Sequence, residues 1–97
     1  MQPLFNTDQI KTAEEILRAI NQPDRIRILD FISSHPDSTV TQIYTAVNII
    51  PSVTSGHLAK LRNAKIVTSS RKGTQQFYRI NTDFINTVNA ALSSISI

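Results

Sequence analysis

Between Ile66 and Ile80 the pattern of apolar residues changes character, and this change limits the possible folds more than any other feature. On either side of it, apolar residues recur at helical spacing. Inside it, the β-prone runs Ile66–Ser70 and Gln76–Ile80 flank a Lys-Gly-Thr tip, which predicts a hairpin. Four helical segments come before the hairpin and one follows it.

The first segment, "NTDQIKTAEEILRAIN", places Ile10, Ala13, Leu17 and Ile20 on one stripe with Ile16 beside it, and Thr7 or Asp8 can cap its start. The second, "QPDRIRILDFISSHP", opens with Pro23 at a first helical position and Asp24 at the positive end of the dipole. Its Ile26, Ile28, Leu29, Phe31 and Ile32 take up most of the circumference, as expected of a central helix. In "DSTVTQIYTAV", Thr39 followed three residues later by Gln42 is a capping-box pattern for a short third helix. "NII" turns the chain, and Pro51 starts a fourth helix running to about Asn63. The last segment, "TDFINTVNAALSSISI", aligns Ile85, Val88, Leu92 and Ile95. Two short helices joined by a tight turn, then a basic hairpin, give the layout of a winged helix-turn-helix, mainly α with a small β-hairpin.

The chain has 97 residues, room for a single domain spanning residues 1–97. Such a small core is filled by the second to fourth helices. The stripes of the first and last helices are therefore expected to meet a second copy, through Ile10, Ala13, Leu17, Ile85, Val88, Leu92 and Ile95. The alternative is that both helices close over their own core. No cysteine is present, which excludes a disulfide framework or thiolate metal site. No apolar run reaches the ~20 residues of a membrane helix and no signal-peptide pattern opens the chain, so a cytoplasmic location is expected.

Net charge is only +3, but it is unevenly placed. Residues 1–37 hold six acids against four bases, whereas Ser38–Thr82 holds no acid and six bases: Lys60, Arg62, Lys65, Arg71, Lys72 and Arg79. An ordinary surface mixes signs, so this block points to a polyanion, most simply nucleic acid. On the fourth helix, Thr54, Leu58 and Leu61 share one side with Val53 and His57 on its shoulder. Ser52, Ser55, Gly56, Ala59 and Asn63 lie opposite. A solvated helix without a task favours Glu, Lys and Gln there. Small residues, with Gly56 costing roughly 0.5–1 kcal/mol against Ala, instead allow a close approach to a groove.

Three stretches then resemble the arsenic-repressor (ArsR/SmtB) family of small bacterial winged-helix regulators. "LRAINQPDRIRIL" is similar to the family's Pro-x-Arg-x-x-Ile-Leu core, "SGHLAKLRNAKIV" to its Ser-x-His-Leu-x-x-Leu recognition helix, and "SRKGTQQFYRI" to its glycine-tipped wing. The resemblance implies homodimers that repress transcription by binding imperfect palindromes of double-stranded DNA. On that reading the DNA-binding residues are Thr39, Thr41, Gln42, Ser52, Thr54, Ser55, Gly56, His57, Lys60, Arg62, Arg71, Lys72, Thr74 and Gln75. Many members sense metal through Cys-Val-Cys, where this chain has Thr39-Val40-Thr41, and others through His and carboxylates on the closing helix, where it has Asp83 and no histidine. Neutral hydroxyls are poor ligands for soft cations, so no metal and no cofactor is expected. The family's Ala-Gly after the recognition helix is replaced by Ala64-Lys65.

A winged-helix module that binds protein and not DNA fits the same small-residue face. An enzyme does not fit, because Ser52, Ser55 and His57 have no carboxylate nearby to form a catalytic set.

Overall fold

The computed structural model describes residues 7–95, with the side chains of 91, 92, 94 and 95 left aside. The elements run α1 (Thr7–Ile20), α2 (Pro23–Ser34), β1 (Ser38–Thr39), α3 (Val40–Val47), α4 (Pro51–Asn63), β2 (Val67–Lys72), β3 (Gln75–Ile80) and α5 (Thr82–Ile95). The five helices and the hairpin stand in the order read from the sequence.

The sheet corrects the two-stranded expectation. It has three antiparallel strands in the order β1-β3-β2, because Ser38 and Thr39 pair with Tyr78 and Phe77. Asp37 adopts a left-handed φ of 62°, and its carboxylate accepts two bonds from the Arg79 guanidinium, at 2.5 and 2.7 Å. That pair pins the turn after α2 to β3, and β1 covers an edge that a bare hairpin leaves open. A two-residue strand has no alternation of its own, so only its long-range partners define it. In the hairpin, Lys72 faces Gln75, which leaves a two-residue loop of Gly73 and Thr74. Gly73 has φ 62° at the first loop position, where glycine carries no steric penalty.

Ile16, Ile28, Ile32, Ile43, Leu58, Leu61, Ile66, Val67 and Tyr78 form the core. Each large aliphatic side chain sealed there contributes roughly 1.5–3 kcal/mol. Two expectations shift. In α1 the buried residues are Ala13, Ile16 and Ala19, so the inward face centres on Ile16 and turns Ile10 and Leu17 outward. In α2 the circumference is not closed, since Ile28 and Ile32 are sealed but Ile26 is exposed.

Helix ends follow local chemistry. Gln22 caps α2 through Oε1, which accepts from the Arg25 amide at 2.8 Å, with Pro23 at N1 as expected. The capping box of α3 is complete: the Gln42 amide donates to Thr39 Oγ1 at 3.2 Å, and the Thr39 amide to Gln42 Oε1 at 2.9 Å. Asn48 ends α3 in a left-handed conformation, which its short polar side chain tolerates. After α4, the Ile66 amide donates to the Leu61 carbonyl and the Lys65 amide to that of Arg62, both at 3.0 Å. This is a Schellman closure with Lys65 at φ 65°, the position glycine favours.

Candidate nucleic-acid interface

Helix α3, the Asn48–Ile50 turn and α4 form the helix-turn-helix. Arg27 fixes its rear by donating to the Val47 carbonyl and pairing with Asp24 at 3.5 Å. Helix α4 packs on α2, α3 and β2 through Thr54, Leu58 and Leu61. Its opposite side is exposed and carries Ser52, Ser55, Gly56, Lys60, Arg62 and Asn63, with Ala59 half-buried. The wing presents Arg71, Lys72, Thr74 and Gln75, all exposed. Tyr78 is the inward aromatic of β3, and Phe77 is half-buried beside it.

Charge sorts the bases into two groups. Ion pairs among the described residues are Arg18–Glu14, Arg27–Asp24 and Arg79–Asp37. Arg79 is thus held by a carboxylate, which lies below its ordinary pKa chiefly because of the Arg79 hydrogen bond. Lys60, Arg62, Arg71 and Lys72 are exposed and take part in none of these pairs.

Thr54 corrects the expected base-reading set. It is 0% exposed and points into the core, and its hydroxyl has no hydrogen-bond partner. The helical period puts it on the side of Leu58 and Leu61, and there it is buried. A buried unpaired hydroxyl costs about 1–3 kcal/mol. Thr54→Val keeps the branched shape and should raise stability by about 1 kcal/mol, read in a thermal melt as a rise of roughly 4–8 °C. Thr39 and Gln42 are also tied to the α3 cap, while Thr41 is exposed.

His57 is hydrogen-bonded within the fold. Arg25 Nε donates to its Nδ1 at 3.1 Å, and Arg25 Nη1 donates to the Ala19 carbonyl at 3.0 Å. One guanidinium so joins the end of α1, the start of α2 and the middle of α4, a connection no local pattern reveals. Desolvation first, then the Arg25 charge, push the His57 pKa below its ordinary value. Between the lowered folded pKa and the unfolded value near ~6.5, the unfolded chain binds more protons. Stability is therefore complete above that window and falls as pH drops through it. Urea midpoints at about pH 7.5 and pH 5.5 should differ more in the wild type than in His57→Gln.

At the expected pairing surface, Leu17 (57% exposed) and Ile10 (41%) are open; Ile26, expected inside the central helix, is also exposed (48%) and lines a groove between α1 and α2 with Leu17 and Ile20. Ala13 is a correction: it is already buried within the chain, turned inward with Ile16. Ile85 and Val88 are half-buried against the core, and the side chains of Leu92 and Ile95 lie outside the described residues.

Comparison with known proteins places this arrangement. The model of the bacterial regulatory protein arsR family matches residues 22–69, from the α2 cap into β2. The transcriptional repressor SdpR of Bacillus subtilis is 32% identical over 82 residues, covering 84% of this chain and 90% of that protein. The crystal structure of NolR from Sinorhizobium fredii superposes with a TM-score of 0.74 at 30% identity, covering 99% of this chain and 97% of NolR. A homodimeric winged helix-turn-helix DNA-binding domain from Mycobacterium bovis, a possible ArsR-family regulator, has a TM-score of 0.78, covering 99% of this chain and 88% of that one. Its identity is 23%, so that likeness is one of fold. With the helix order, the wing and the similarity to SdpR all in agreement, the chain belongs to the arsR family of bacterial regulatory proteins.

Proposed function

We propose that the chain is a homodimeric, sequence-specific DNA-binding repressor, with α4 entering the major groove and the hairpin lying on the flanking backbone. One observation carries the reading: the outward face of α4 bears small side chains, and exposed cations outside the ion pairs found among the described residues frame it on the helix and the wing. Lys60, Arg62, Arg71 and Lys72 supply phosphate contacts, and the first turns of α4 face base edges. Repression is supported by the kinship with SdpR, a transcriptional repressor. Pairing is supported by the apolar groove at Leu17 and Ile26 and by the homodimeric neighbour of the same fold. On this reading the repressor needs no metal, because Thr39-Val40-Thr41 stands where metal-sensing members carry Cys-Val-Cys and neutral hydroxyls are poor ligands for soft cations.

Gly56 offers a test at single-atom scale. A Cβ built on it meets nothing within 4 Å, and its backbone is helical, so the free protein does not need a glycine there. Gly56→Ala should therefore raise stability by about 0.5–1 kcal/mol. If DNA approaches this backbone closely, the same change weakens binding by about tenfold, or ~1.4 kcal/mol. Unchanged affinity contradicts the close approach.

The function itself is tested by fluorescence anisotropy of the duplex upstream of the chain's own gene, titrated at rising salt. Tight binding at low salt that falls steeply as salt increases is expected. Failure to bind any duplex at low salt contradicts the proposal and favours a protein-binding module.

A further inference from the structure

Two large apolar side chains stand exposed at the leading end of α4. Ile50, at the N-cap, is 66% exposed, and Val53, in the first turn, is 44% exposed. An N-cap position favours Ser, Thr, Asp or Asn, which satisfy a free amide of the first turn. Ile50 makes no such bond, so the helix forgoes its cap in favour of a side chain in solvent. The period of α4 sets Val53 on the same flank as Lys60, one of the exposed cations.

The other side chains at this end narrow what can be read. Pro51, Ser52, Ser55 and Gly56 are the remaining exposed residues of the first two turns. None of them forms the bidentate pairs by which Arg or Lys selects guanine and Asn or Gln selects adenine, and a serine hydroxyl bonds to any base. At this end of α4, sequence discrimination is left to the apolar groups. The apolar feature that the major groove displays is the thymine C5-methyl.

We propose that Ile50 and Val53 are specificity-determining residues that recognise thymine methyl groups in the major groove of each half-site. The inference rests on the DNA-binding reading above and adds the chemistry by which bases are chosen. A methyl buried against such a side chain contributes about fourfold in affinity, the equivalent of ~0.8 kcal/mol.

The experiment starts from the duplex that the full chain selects from a random pool. Thymines of the half-site are replaced singly by deoxyuridine, which removes the methyl and nothing else. At one or two positions the substitution should weaken wild-type binding by about fourfold. Val53→Ala or Ile50→Ser should bind the thymine and uracil duplexes alike at one of those positions, and Ile50→Ser should also restore a cap. Selected half-sites without thymine, or uracil substitutions without effect at every position, overturn the inference while leaving DNA binding intact. Sensitivity to uracil that persists undiminished in both variants overturns it as well. Failure to select any DNA overturns the underlying function together with the inference.

Discussion

Replacing Lys60, Arg62, Arg71 and Lys72 together by alanine removes most of the affinity for DNA and most of its salt dependence. Each phosphate contact contributes about 0.9 to the slope of log affinity against log salt, so four cations per protomer account for roughly seven across a dimer. A slope of that size means that wild-type binding falls by roughly four orders of magnitude between about 50 and 200 mM salt. All four side chains are exposed and outside the ion pairs, so the fold does not depend on them. The variant should melt within about 0.5 kcal/mol of the wild type, which separates lost contacts from lost structure. Anisotropy titrations at four or more salt concentrations give the slope directly. A variant that keeps the wild-type slope shows that these cations do not touch the phosphates.

The second large effect concerns pairing. Leu17 and Ile26 are exposed in the free chain, and Glu at both positions places two carboxylates in the groove they line. Burying unpaired charge in an interface is strongly unfavourable, whereas the folded protomer leaves both side chains in water. The double variant Leu17→Glu with Ile26→Glu should therefore sediment as a folded monomer. Without its linked partner, each protomer binds one half-site alone, and affinity for the full operator should fall by at least ~100-fold. A variant that remains dimeric places the interface elsewhere.

What could be read from the residues and what could not divides by range. The helices, the capping box at Thr39 and Gln42, the hairpin and its glycine tip were legible because each depends on neighbours a few residues away. The third strand was not, because Ser38 and Thr39 become a strand only through Tyr78 and Phe77, and Asp37 finds Arg79 across the fold. Periodicity gave the stripe on α1 but not its rotation, which the fit of Ile16 into the core decides. It likewise placed Val53 on the shoulder of the buried face, where the structure leaves it open. The arginine link from Ala19 through Arg25 to His57 joins three helices and leaves no local trace. Thr54 was half legible: the family resemblance put it among the DNA-binding residues and its helical phase put it on the buried side, and the phase prevailed. Lys65 shows the reverse case, since its departure from glycine was visible in the sequence and the left-handed cap it must adopt is present.

Recognition of DNA by a symmetric pair of chains is the central claim. Selection of bound duplexes from a random pool, using the full chain, measures binding, sequence preference and symmetry in one step. Enrichment of an imperfect inverted repeat is expected, with half-site centres roughly one helical turn, or a multiple of it, apart. A pool that yields no enriched sequence, or only one unrepeated asymmetric motif, contradicts the claim.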